Sequence, residues 1–198
     1  MTAQPLVAEH SSPLRRRIIA EAARVTARSG WSSVTMGALA QSVGVSRQTV
    51  YNEIGSKPAL AEAMVLDELA AFLLAVEAAF DEHPVDHVQA IRAAVLRVLQ
   101  LAQGNALLRA IVSDSYGADA ELLPLLTTRA NSVLASARAV LSDRLASPGY
   151  HLPEERRVTS VDAIVRVVLS HVTQPTATPE ATSEDVAWMA GRLLTRSP

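Results

Sequence analysis

Arg47, Gln48, Thr49, Tyr51 and Asn52 crowd into one short stretch, and each is of a type that bonds DNA. Arg, Gln and Asn make two-pronged contacts with base edges, Thr meets a thymine methyl, and Tyr donates to a phosphate. The same stretch places Val50 and Ile54 one helical turn apart, so the spacing predicts a helix with an apolar back and this polar group in front. Ser46 is its expected N-cap, the hydroxyl accepting from a free backbone N–H of the first turn. Upstream, Met36, Leu39, Ala40 and Val43 repeat at i, i+3, i+4 and i+7 behind Thr35, a second hydroxyl cap. Gly44 ends that helix in a left-handed turn, and Val45 plugs the corner between the two. The pattern is a helix-turn-helix; an ordinary helical hairpin with a solvated polar face remains open on spacing alone.

Charge supports the nucleic-acid reading. Residues 1–57 carry seven Lys/Arg against three Asp/Glu, whereas residues 58–198 carry eleven against seventeen, within a total of −2. A basic head on an acidic body turns the head toward a polyanion. Arg15, Arg16 and Arg17 stand at the start of an amphipathic helix carrying Ile18, Ala22 and Val25, within reach of phosphate or a minor groove. A solvated basic turn is the alternative.

With Thr35, the Gly44-Val45-Ser46 turn, Thr49-Val50-Tyr51 and Ser56-Lys57 in this order, the first part of the chain resembles the TetR family of transcriptional regulators. The resemblance implies phosphate contacts from Tyr51, Lys57 and Thr35. The chain departs from the family pattern at Glu53-Ile54, where a His-Phe pair is usual, and at Gln48, where a small residue is common. Glu53 sets an acid near the DNA backbone, and Gln48 is a candidate adenine reader. The Tyr51-Asn52-Glu53-Ile54-Gly55-Ser56-Lys57 variant is similar to actinobacterial members found beside alkane-oxidation genes.

The 198 residues are 49% hydrophobic and include no cysteine, so disulfides, thiolate metal sites and cysteine catalysis are excluded. No apolar run approaches about 18 residues, which predicts no membrane span and a cytoplasmic protein. Nucleophile-elbow, phosphate-loop, dinucleotide and zinc-protease spacings are all missing, so no enzyme is expected. Asp81, Glu82, His83, Asp86 and His87 supply ligand types in a short span, but Pro84 interrupts them and a polar turn explains all five. No metal or cofactor is predicted.

No alternating strand pattern occurs, and the chain is expected to be all-α. The predicted organisation is an N-terminal flexible arm over 1–13, a three-helix DNA-binding head over 14–57, and a ligand-binding and dimerisation body over 58–198. In the body a long helix capped by Ser56 runs to about Glu82, followed by helices near 85–102, 105–113, 119–146, 154–173 and 184–195, with a loop over 174–183. The family resemblance implies a ligand cavity, for which Phe72, Val76, Phe80, Leu96, Leu99, Leu107, Ile111, Leu126, Arg129 and Val133 are the candidates; plain core packing is the alternative. Scarce aromatics favour an aliphatic effector such as a fatty-acyl chain, with Arg109 or Arg129 as partners for a carboxylate. The last two helices are too broadly apolar for one neighbour: Val158, Val161, Ile164, Val165, Val168, Leu169 and Val172 on one, Val186, Trp188, Met189, Leu193 and Leu194 on the other. In the family such helices pair two protomers, which matches the demand of a two-fold operator. The reading is thus a homodimeric, ligand-responsive repressor of double-stranded DNA, against a helical carrier or interaction module without sequence-specific DNA binding.

Overall fold

A computed structural model describes residues 12–113, 122–126, 131–146 and 153–194, and all of its regular structure is helical. The helices are α1 (Pro13–Ser29), α2 (Met36–Val43), α3 (Arg47–Ile54), α4 (Lys57–Glu82), α5 (His87–Gly104), α6 (Ala106–Ser113), α7 (Leu123–Leu126), α8 (Asn131–Arg144), α9 (Glu154–Thr173) and α10 (Pro179–Leu194), with one 3-10 turn at Trp31–Ser33. No single described helix is long and apolar enough to cross a membrane. By internal contacts the chain divides into two compact units: residues 1–70 with 106–125, and residues 71–105 with 126–198.

The first unit is built on α1, whose Ile18, Ile19, Ala22 and Thr26 are buried. The expected Val25 is only half-buried; Thr26 takes the inward position because its hydroxyl donates to the Ala22 carbonyl at 2.8 Å, which removes the penalty of burying it. Trp31, Val34, Met36, Leu39, Val50 and Ile54 complete the apolar centre of the head. The start of α4 joins them with Leu60, Ala61, Met64 and Val65, after its first turn is capped by Ser56, whose hydroxyl accepts from the Ala59 N–H at 3.2 Å.

In the second unit α5, α9 and α10 pack on one another, with α8 against α9. Its core is mostly aliphatic: Ile91, Val95, Leu99, Leu141, Leu145, Val161, Ile164, Val186 and Leu194 are buried in one cluster with the aromatic Phe80, and Val165, Val168, Val172 and Met189 are partly buried against it. The end of α4 is pinned to neighbours by surface ion pairs, Glu82 with Arg97 and Asp81 with Arg144, while Arg92 reaches Glu184 of α10 at 3.1 Å.

Three expected boundaries move. The helix foreseen near 85–102 runs His87–Gly104, because Asp86 caps it by accepting from the Gln89 N–H at 3.0 Å. Within the span 119–146, Leu122 is a turn residue ahead of α7, and α8 is described from Asn131; residues 119–121 and 127–130 lie outside the described residues. The final helix starts at Pro179 rather than 184, since proline suits a first helical position and the Thr178 hydroxyl behind it accepts from the Ala181 N–H.

Candidate nucleic-acid interface

Three closures position the polar face of α3. The Thr35 hydroxyl accepts from the Ala38 N–H at 3.1 Å and starts α2. Gly44 ends it at φ 78°, ψ 37°, a left-handed conformation that side chains disfavour, and the Val45 N–H reaches back to the Ala40 carbonyl at 2.9 Å. Ser46 then caps α3, accepting from the Thr49 N–H at 3.0 Å. Val50 and Ile54 are buried beneath, so rotation of α3 about its axis is set by apolar contact.

On the outward side, Arg47, Gln48, Tyr51 and Asn52 are exposed and form two pairs one turn apart. The Arg47 guanidinium lies 5.5 Å from the Tyr51 ring centre and donates to its hydroxyl at 3.3 Å; the Gln48 amide donates to Asn52 Oδ1 at 3.0 Å. Thr49 is half-buried, its hydroxyl 2.8 Å from that of Ser46, so it belongs as much to the cap as to the surface. Thr35 is exposed at the start of α2. Lys57 is half-buried: its ammonium lies 4.7 Å from the Trp31 ring centre and donates to the Trp31 carbonyl at 3.2 Å.

The three arginines of α1 part company. Arg15 donates to the Glu53 carbonyl, Arg17 donates to the Val43 carbonyl at 3.0 Å, and Arg16 is exposed with no side-chain partner among the described residues. The Glu53 carboxylate accepts from the Ser12 hydroxyl at 2.6 Å, and the same hydroxyl accepts from the Arg15 N–H at 3.0 Å to cap α1. The acid that breaks the family pattern is thereby turned to the start of α1, where the helix dipole favours negative charge. Glu21 of α1 accepts from Arg24 and from the Ser42 hydroxyl of α2 at 2.6 Å; these bonds, that of Arg24 first, lower its carboxyl to about 2. Ser12 and Trp31 were not singled out from the sequence. Ser12 had a signal, a serine before Pro13, which is a helix start signature; Trp31 had none.

The other candidates lie elsewhere. Leu107 and Ile111 are buried in the first unit. Phe80, Leu99 and Val133 are buried, and Phe72, Val76 and Leu96 half-buried, in the second. Leu126 closes α7, but its side chain, like all of Arg129, lies outside the described residues. Arg109 is exposed. Among the described residues no three His, Asp or Glu gather as metal ligands: Asp81 and Glu82 pair with arginines, Asp86 caps α5, and His87 is buried with its ring edge-on to Phe80.

Comparison with known proteins agrees with this arrangement. Residues 18–64 match the bacterial regulatory proteins of the tetR family, and residues 86–192 match the C-terminal domain of the bacterial tetracyclin repressor. The HTH-type transcriptional regulator AlkX of Mycobacterium tuberculosis is 29% identical over 93% of this chain and 90% of its own. The crystal structure of the repressor AlkX of a Dietzia species, implicated in biodegradation of n-alkanes, superposes with a TM-score of 0.74 at 26% identity, covering 93% of this chain and 97% of that one. The repressor QsdR of R. erythropolis shares the fold, with a TM-score of 0.65 at 20% identity over 93% and 97% of the two chains. These relatives are regulators of transcription, not enzymes. With its matched C-terminal region spanning more than half of the chain, this protein belongs to the TetR family of DNA-binding transcriptional regulators.

Proposed function

We propose that the chain is a cytoplasmic repressor that binds a pseudo-palindromic operator as a homodimer and leaves it when a long-chain aliphatic effector binds. The exposed, capped polar face of α3 carries the first half of this reading. Arg47, Gln48 and Asn52 face base edges in the major groove, with Gln48 reading adenine, while Thr35, Ser46, Thr49, Tyr51, Lys57 and Arg16 meet the sugar-phosphate backbone. The head spans 14–57 and the body 58–198, with α4 as the covalent lever between them. Dimerisation through α9 and α10 is supported by Val158, Trp188 and Leu193, exposed by 53%, 68% and 38% in the single chain. Large apolar side chains left in water on one pair of helices favour a second copy of that pair as their cover.

Selection of duplexes from a randomised pool tests the DNA reading, with salt titrations on the selected sequence. Tyr51→Phe and Lys57→Ala are expected to weaken binding, and Lys57→Ala to flatten the dependence of log affinity on log salt by about 0.9 for each phosphate it no longer neutralises. Titrations identical to wild type would remove both assignments.

The effector half rests on the aliphatic stock of the body and on the Dietzia relative, a repressor implicated in biodegradation of n-alkanes. An effector lowers operator affinity only through its preference for one of two protein conformations. Long-chain fatty acids and alkanes added to the preformed complex are therefore expected to release DNA, short-chain homologues not. Release by neither overturns the aliphatic effector and leaves the regulator standing.

A further inference from the structure

Both helices of the helix-turn-helix end on backbone carbonyls that the helix itself leaves without partners, and each of these ends receives an arginine from α1. Arg17 donates to the carbonyl of Val43, the last residue of α2, from 26 positions away; Arg15 donates to that of Glu53, in the last turn of α3, from 38 positions away. A cationic donor suits these sites twice over, since it fills an orphan acceptor and lies at the negative end of the helix dipole. The Ser12 hydroxyl adds a third bond, to the Glu53 carboxylate, so the start of α1 grips the end of α3 through its side chain as well as its backbone. Apolar contact beneath Val50 and Ile54 sets the depth of α3 but resists sliding along the helix axis poorly. Directional bonds at the helix ends supply that restraint.

We propose that Arg15 and Arg17 are positioning residues that hold the recognition helix in register for base reading, and that Arg16 is the arginine of the run that meets phosphate. The proposal rests on the DNA-binding reading above and assigns different work to three adjacent, identical side chains. Arg15 and Arg17 each place a guanidinium N–H on a helix-end carbonyl of the head, Arg17 while itself exposed, whereas the exposed Arg16 side chain has no partner among the described residues.

Salt dependence separates the two roles, because removing a phosphate-neutralising charge changes the slope and misplacing a helix does not. Arg15→Met, Arg16→Met and Arg17→Met each keep the apolar stem and remove the charge and donors. Each is titrated with a duplex selected by the wild type from a randomised pool, and with a scrambled duplex of the same length. Arg15→Met and Arg17→Met are expected to lose about tenfold on the selected duplex and little on the scrambled one, with unchanged slope. Arg16→Met is expected to weaken both duplexes alike and to flatten the slope by about 1.8, one phosphate from each protomer.

A flattened slope in Arg15→Met or Arg17→Met overturns the proposal, as does an unchanged slope in Arg16→Met. A lower melting temperature with an unchanged ratio of selected to scrambled affinity also overturns it, leaving those arginines a purely structural role. If the arginine variants do not fold, Ser12→Ala, which involves no charge, must narrow the ratio at constant slope; an unchanged ratio is then decisive against the positioning role. A wild type that binds neither duplex sinks the DNA reading and this role together, while a wild type that binds with disobedient variants sinks this role alone.

Discussion

The head and the second unit both cap helix starts and bury apolar side chains, but they differ in what else ties helix to helix. In the head, hydrogen bonds close the helix ends: hydroxyls of Ser12, Thr35 and Ser46 at three starts, Gly44 and Arg17 at the end of α2, Arg15 at the end of α3. In the second unit, aliphatic area dominates, and charged side chains of α4, α5, α8, α9 and α10 pair with one another at the surface. A short reading element needs a fixed axial position, which directional bonds provide, and apolar contact alone leaves sliding cheap. A body that must bury long helices needs area, which is non-directional. The two short helices of the motif, α2 and α3, could not persist on their own length and depend on these closures and on the packing beneath them.

The sharpest way to break this contrast is Ile91→Ala in the second unit. Ile91 is 1% exposed in the aliphatic cluster, and its truncation is expected to cost about 2–5 kcal/mol in chemical denaturation. A cost near zero would mean that area does not hold the body. Next comes Gly44→Ala in the head. A Cβ there meets no atom within 4 Å, so the expected loss of about 1–2 kcal/mol comes from the left-handed backbone alone. Thermal unfolding that leaves the midpoint untouched would show that the turn is not held in that conformation.

A smaller effect is expected from acid. Because Glu21 is lowered to about 2 in the folded chain, against an ordinary 4.5, its bonds to Arg24 and Ser42 add stability that is complete above 4.5 and fades as pH falls toward 2. The difference in denaturation midpoint between wild type and Glu21→Gln should therefore close across that window. A constant difference would remove the carboxylate as its cause. The smallest effect belongs to Arg92→Gln, which breaks an exposed ion pair with Glu184 and should shift stability by no more than about 1 kcal/mol, less in high salt. A larger loss would put the body's cohesion in its charges rather than its area.

The motif was legible because everything that builds it is local. The Thr35 and Ser46 hydroxyls, the four apolar positions of α2 and Gly44 each act within a helical turn or two, and local periodicity reports such features faithfully. The long α4 and the end of α9 at Thr173 were legible for the same reason. The start of α10 was misplaced although its signal was present: Pro179 in a threonine-rich stretch reads as loop unless Thr178 is recognised as a capping hydroxyl. The contacts of Arg15, Arg17 and Lys57 within the head were not legible at all. A run of arginines before an amphipathic helix looks the same whether its guanidiniums face water or carbonyls, and the deciding partners lie 26 to 38 residues away.

From the sequence by itself came the helical class, the helix-turn-helix with its caps and turn, the polar face of α3, and the basic head on an acidic body. These follow from side-chain type at short spacing, where helix geometry leaves few choices. Tertiary structure alone decided which cations are spent inside the head, that the Glu53 carboxylate turns to Ser12, and that Lys57 rests on Trp31. Each of those outcomes depends on which backbone carbonyl, ring or hydroxyl a distant segment brings within reach, and only the packing of α1 and the Trp31 turn against the later helices sets that distance.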